Sequence, residues 1–429
     1  MKAKKTQSQS PSRAQQPRNN QAYVPPRRRN PVVALFALAI LGIFVVGGVM
    51  AAVEKHQRNA NGAPAPSAAP FKGFDTSREP STPFAEVQAQ RLIVDVHEHI
   101  GALDRAPIYI EVMDKLGIGK MCLMGSSKFT LTLDEKYGFT GYDENNEELL
   151  KIVQQYPGRF EAWPTVNPLD PEKLTKFKDL VSRGATGLKL YIGHGYLTRA
   201  NEYMFHPVAM DDPGMLPLYQ YCQDNFIPVC IHVNPYDGKP GFAEEFVAVL
   251  TAFPDLKVVC PHFMLSSVRS FRLQELLDVF SNLYTDVSFG DFFMKERLEY
   301  ISKYPKKFKK IFNDYPDRFM YGTDLVLIDT PKHSRPWVQQ QHEAYLDMLT
   351  KDTYTTPLIP GETLHGVALP DWLLDRILYK NFEAFSTKKP KGTQIAHAPD
   401  WKRMGITPRE RKPGQAFPPP PKKSGGGGE

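Results

Sequence analysis

Ile93-Val94-Asp95-Val96-His97-Glu98-His99-Ile100-Gly101 is an apolar run carrying two imidazoles at i and i+2. Side chains alternate across a strand. His97 and His99 therefore share a face at the C-terminal end of a short buried strand, where neutral ring nitrogens can chelate one divalent ion. Glu98 falls on the opposite face, as the acceptor of a hydrogen bond or ion pair away from the mouth. Asp95 lies deeper on the histidine face, set to orient a ligand. An H-x-H pair alone is weak in a chain of 429 residues, so its weight depends on partners elsewhere.

Four downstream segments have the same apolar character and close on a chemically active group: Gly187–Tyr191, Ile227–His232, Leu256–His262 and Arg318–Asp324. A histidine or aspartate ending a run of Val, Ile, Cys and Phe is costly to bury unless it binds something. Strand-like segments recur near 92–97, 119–124, 160–166, 186–191, 227–232, 256–262, 282–288 and 318–324, each followed by helix-forming sequence. Pro107–Leu116, Asn145–Tyr156 and Ser270–Phe280 are the plainest helices. Eight alternating units predict an α/β fold, a closed (β/α)8 TIM barrel over 89–387. The site of such a barrel lies at the C-terminal strand ends, where His97, His99, His232, His262 and Asp324 all fall.

From Arg91 to Ser386 this ordered set resembles the amidohydrolase superfamily, and within it the amidohydrolase-related branch of metal-dependent hydrolases and non-oxidative decarboxylases. The resemblance includes the closing helix Leu369–Phe385. It implies His97, His99 and His232 as nitrogen ligands of one divalent metal, with Asp324 as a fourth, oxygen ligand that also moves the proton of a metal-bound water. His262 would orient the nucleophile or polarise the substrate carbonyl. Zinc suits three imidazoles and a carboxylate, manganese or iron would also accept them, and a second metal is not expected. Lys189 stands where binuclear relatives carry a carboxylated bridging lysine; in a one-metal site it becomes a group that supports the ligands or binds substrate. Asn167 and His194 sit in loops at the catalytic face as further substrate contacts. The segment Leu325–Gly366, with His333, Trp337, His342, Tyr345 and His365, is long enough to serve as a lid or to pack as a local helix.

The ends are unlike the barrel. Residues 1–31 form a basic leader ending in Arg27-Arg28-Arg29, and residues 32–53 contain no charge. Twenty-two residues at about 1.5 Å rise cross a hydrocarbon core of roughly 30 Å, so a single transmembrane helix is expected. Basic residues before it keep the N-terminus cytoplasmic and the catalytic domain extracytoplasmic, periplasmic in a Gram-negative cell. A cleaved signal peptide ending near Val49-Met50-Ala51, or twin-arginine export, is the competing reading. Residues 54–88 read as a disordered Ala/Pro-rich linker, and 388–429 as a disordered basic Pro/Gly-rich tail.

The formal net charge is +6. The first 53 residues hold eight bases and no acid, and the tail holds ten bases against three acids, so the segment between is net −9. An acidic barrel argues against nucleic acid and for a small-molecule substrate, with the membrane met through the N-terminal helix. A homodimer is the oligomer that the resemblance implies. Cys122, Cys222, Cys230 and Cys260 show no C-x-x-C spacing and read as core thiols, although Cys230 and Cys260 sit on adjacent expected strands where a bond is open.

Three functions follow. The first is a membrane-anchored metal-dependent hydrolase of an amide, ester or lactone. The second is a metal-dependent decarboxylase of an aromatic or unsaturated acid, and the third a non-catalytic envelope scaffold.

Overall fold

The computed structural model describes residues 81–387 except 135–136, 193–207, 234–239 and 265–269. The expected leader 1–31, membrane helix 32–53, tail 388–429 and His194 lie outside the described residues. Among the described residues no helix is long and apolar enough to cross a membrane.

Nine short strands line the core: β1 Ile93–Ile100, β2 Ile118–Met124, β3 Phe160–Trp163, β4 Leu188–Leu190, β5 Val229–Ile231, β6 Val258–Val259, β7 Leu283–Asp286, β8 Phe319–Met320 and β9 Leu325–Leu327. They pair parallel, in the orders β3-β2-β1-β9 and β4-β5-β6-β7-β8. Parallel bridges Ala162–Ala185 and Thr165–Lys189 join β3 to β4. The circuit returns through β8 and β9, which act as one interrupted strand: Met320 pairs with Asp286, while Leu325 pairs with Glu98. This parallel α/β circuit supports a TIM-barrel arrangement. Every residue of β1 is buried, as expected for a parallel strand covered on both faces.

All eight expected strands find a counterpart, and so do the three expected helices, seen at Ala106–Leu116, Tyr142–Gln155 and Ser270–Val279. The segment after β9 is not an open lid. Its residues Arg335–Thr350 form a helix that buries Val338, His342, Tyr345 and Leu349, and residues 353–354 and 364–365 pair antiparallel beyond it. Apolar spacing at i, i+4 and i+7 gave that helix an inward face, and this governs the aromatic residues there.

The closing helix is interrupted: Asp371–Asp375 is α-helical, Arg376–Lys380 is a π turn, and Asn381–Thr387 is α-helical again. At the turn the Ile377 carbonyl accepts from Tyr321 N at 2.8 Å, and Asn381 Nδ2 donates to Phe319 O at 2.7 Å. Residues 81–88, assigned to the linker by composition, contain most of a helix, Phe84–Ala89, that buries Val87. Thr82 N donates to Asp375 Oδ2 at 3.1 Å and Phe84 N to Asp371 Oδ1 at 3.2 Å. A bias toward Ala and Pro hides these anchors because two backbone donors and one Val make them.

The four cysteines are free and buried, so the Cys230–Cys260 bond is absent. Burial pushes the Cys230 thiol up to about 11, which keeps it a small core group.

Candidate metal centre

β1 delivers His97 and His99 to one carboxylate. Asp324 Oδ1 lies 3.1 Å from His97 Nε2 and 3.1 Å from His99 Nε2, and its Oδ2 lies 3.5 Å from His262 Nε2. Two of these residues are held in the left-handed region: Asp324 at φ 60° and His262 at φ 62°. Asp and His accept that conformation better than branched residues do, and such backbone concentrates at functional sites. Asp324 N donates to His97 O at 2.7 Å, so the turn is pinned to the strand it faces.

The outer nitrogens define the inner ones. His97 Nδ1 is 2.9 Å from Asp286 Oδ2, a buried carboxylate. Burial alone would raise Asp286, but hydrogen bonds from His97 and Ser288 help hold it down to about 2. An ionised carboxylate only accepts, so His97 Nδ1 carries the proton. His99 Nδ1 is 2.7 Å from Ser126 Oγ, which gives its own proton to Met124 O. His262 Nδ1 is 2.7 Å from Ser288 Oγ, which gives its proton to Asp286 Oδ1. Each ring therefore donates outward at Nδ1 and keeps an Nε2 lone pair directed at Asp324. Burial, before any neighbouring charge, holds all three imidazoles below their usual range and keeps them neutral.

Three unprotonated nitrogens around a carboxylate, with ligand atoms of His97, His262 and Asp324 all within 4.8 Å of one another, need a cation between them. The donor set thus fits a divalent metal, with outer partners that fix ring orientation.

Lys189 is fully buried, and its Nζ donates to His97 Nε2 at 2.8 Å. The same lone pair cannot serve a lysine and a metal, so Lys189 would have to leave His97 Nε2 for that nitrogen to ligate. His232 borders the cluster rather than entering its tightest group: its ring lies 4.8 Å from that of His262 and 6.4 Å from Tyr191. Asn167 is half-buried and spends Oδ1 on its own turn, accepting from Leu169 N at 3.0 Å.

Asp286, Ser126, Ser288 and Tyr191 were not singled out by sequence reasoning. Asp286-Val287-Ser288 ends an expected strand, so its i, i+2 spacing carried the same signal as His97 and His99. Tyr191 donates to Gly125 O at 2.8 Å and presents its ring 6.4 Å from His99 and 6.1 Å from Phe139.

Glu98 faces away from the His97–His99 pair, as strand alternation predicts. It is fully buried, accepting from Tyr109 Oη at 2.6 Å and from the Thr323 hydroxyl. Asp95, expected on the histidine face, instead brings Oδ2 to 3.7 Å from His342 Nδ1 beside Glu98; the register of β1 against β2 shifts between Asp95 and Glu98, and this irregularity breaks strict alternation. Asp95 uses Oδ1 to accept from His97 N at 2.9 Å, and burial pushes its carboxyl up to about 7.

Gly322 explains the glycine of Tyr321-Gly322-Thr323-Asp324. A Cβ there would stand 3.2 Å from His97 Cβ and 3.3 Å from Asp286 Cβ. A Gly322→Ala chain is expected to lose about 1–3 kcal/mol by overpacking, read as a lower Tm. A Tm equal to wild type would show that the strand relaxes freely there.

The amidohydrolase family model (Amidohydro_2) matches residues 126–385. No curated protein matches the chain. Similar solved structures include a probable 2-pyrone-4,6-dicarboxylic acid hydrolase of Acinetobacter baumannii, 14% identical over 69% of this chain and 100% of its own, TM-score 0.47. A second is the 5-carboxyvanillate decarboxylase of Sphingomonas paucimobilis, 14% identical over 68% of this chain and 98% of its own, TM-score 0.41. A third is the 5-carboxyvanillate decarboxylase of Novosphingobium aromaticivorans complexed with manganese, 14% identical over 76% of this chain and 100% of its own, TM-score 0.42.

Proposed function

Because the chain belongs to the amidohydrolase family, whose model covers more than half of it, we propose that it is a metal-dependent hydrolase of an amide, ester or lactone. The observation that carries this reading is the set of three Nε2 lone pairs directed at Asp324. His97, His99 and His262, with Asp324, would hold the ion, and His232 borders them to orient the nucleophile or the substrate carbonyl. Zinc suits this donor set best, and manganese or iron are the alternatives. When bound, such an ion lowers the pKa of a water to about 7 and polarises a carbonyl.

The remaining work falls to the chain. Asp324, surrounded by acceptor nitrogens, takes a proton from the attacking water and returns it to the leaving group. Lys189 Nζ, buried and able to donate three hydrogen bonds, stabilises negative charge on the substrate oxygen. The Tyr191 ring lies beside His99, with Phe139 packed edge-on against it.

A second reading is decarboxylation of an aromatic acid, favoured by that same aromatic pair beside a lysine, which would seat a flat ring and its carboxylate. The uncharged run at 32–53 supports a single-pass anchor with the catalytic domain extracytoplasmic. The acidic barrel supports a small-molecule substrate rather than nucleic acid, and a homodimer remains part of the proposal.

The test is metal content by plasma mass spectrometry on the purified full chain and on a His97→Ala/His99→Ala variant. The variant is expected to hold one equivalent less than wild type, whereas unchanged content in a folded variant overturns the reading. Product analysis on lactones, esters, amides and aromatic acids then separates a new carboxylate from released CO2.

A further inference from the structure

A second group of ligand-type side chains lies behind β1, on the side of the surrounding helices. Asp95 and Glu98 come from β1 and His342 from the helix Arg335–Thr350; all three are essentially unexposed, and one ligand atom from each lies within 4.8 Å of the others. Two observations separate this group from an ordinary polar contact in a core.

The first is that His342 is hydrogen-bonded to neither carboxylate. Its Nε2 is 3.6 Å from Glu98 Oε1, and its Nδ1, which faces Tyr321, is 3.7 Å from Asp95 Oδ2. Both separations are too long for hydrogen bonds, and that between Nε2 and Oε1 suits the edge between two ligands of one small cation. Asp95 Oδ2 and His342 Nε2 are fully buried and have no hydrogen-bond partner. Leaving such buried atoms unmet is destabilising.

The second is charge. Among the described residues, neither Asp95 nor Glu98 has a lysine or arginine within ion-pair distance. Two buried carboxyls side by side with no basic partner can both stay ionised only if a cation joins them. The surrounding groups meanwhile act as outer supports. Tyr109 Oη donates to Glu98 Oε2 at 2.6 Å, and His97 N donates to Asp95 Oδ1 at 2.9 Å. Tyr321 Oη lies 2.9 Å from His342 Nδ1, so a ring that donates there keeps its Nε2 lone pair free.

We propose that Asp95, Glu98 and His342 form a second, structural site for a small divalent cation of the zinc or manganese class, clamping β1 to the helix Arg335–Thr350. One imidazole and two carboxylates neutralise a double charge and suit those ions. This ion is separate from the one at Asp324 and does not depend on the catalytic reading. It departs from the single metal that the sequence suggests.

The test strips the full chain with a chelator, reconstitutes it with Zn²⁺ or Mn²⁺ alone, and counts bound ions by plasma mass spectrometry. Wild type is expected to hold two equivalents, His342→Gln one, and His97→Ala/His99→Ala one. Anomalous scattering from wild-type crystals should place an ion between residues 95, 98 and 342, a readout needing no variant. If His342→Gln does not fold, Glu98→Gln serves in its place. Wild type that takes up no ion, a folded His342→Gln chain with undiminished metal, or crystals without an anomalous peak there would each overturn the proposal. Loss of the ion in His342→Gln but not in His97→Ala/His99→Ala would sink the catalytic centre while leaving this site standing.

Discussion

Replacing Asp324 with Asn is expected to cut turnover by about 10²–10⁴-fold while the chain stays folded. Asn has nearly the same size and tolerates the left-handed backbone at φ 60°, so the turn that pins this residue to β1 survives. What the substitution removes is the carboxylate that faces the Nε2 atoms of His97, His99 and His262. An amide oxygen is a poor proton acceptor and a weaker ligand, so proton transfer and metal retention should fall together. The measurement is kcat/KM on whichever ester, lactone or amide the wild type turns over, with circular dichroism as the control for folding. A folded variant within threefold of the wild-type rate would remove Asp324 from proton transfer.

Asp286→Ala should have the next largest effect, and it acts through the histidines. Asp286 Oδ2 meets His97 Nδ1, while Oδ1 accepts from His262 N at 2.8 Å, Ser288 N at 3.1 Å and Ser288 Oγ at 2.6 Å. Truncation leaves several buried donors without an acceptor, at about 1–3 kcal/mol for each one not rescued by water. It also frees the rings of His97 and His262 to rotate. The expected result is a metal affinity weaker by about 10–100-fold with a clearly lower Tm. Asp286→Asn keeps the shape and loses only the charge, so it should lie between the two. Competitive metal titration against a chelating dye measures this; an unchanged affinity in both variants would show that ring orientation is set elsewhere.

Much of this centre is legible in the sequence because strand periodicity is local. The alternation that aligns His97 with His99 needs no tertiary information, and neither does the placement of His262 and Asp324 at the ends of apolar runs. Partners contributed by another strand were harder to see. Asp286 reads as an ordinary acid at a strand end until β7 is known to lie beside β8. The side chosen by Asp95 was hidden for a related reason, since the irregularity after it arises from pairing with β2 and leaves no mark on composition. His232 and His262 have equivalent sequence contexts, each closing an apolar strand. What brings the second against Asp324 is its left-handed backbone, a property that no strand pattern encodes. The length of the segment after strand eight allows a lid or a packed local helix, and the inward apolar face of Arg335–Thr350 decides for the helix.

The π turn in the closing helix bears on where this chain can be cut for expression. Its Ile377 carbonyl caps the backbone of Tyr321, three residues before Asp324, and Asp371 and Asp375 receive the amides of residues 84 and 82. Entry and exit of the domain are thus sewn to the same helix. A fragment that stops short of residue 381 forfeits the seam beside Asp324 even though every candidate ligand remains in it. One that begins after residue 84 removes the two amides that Asp371 and Asp375 accept from. The smallest piece worth making runs from about residue 81 through Thr387, the last residue of that helix.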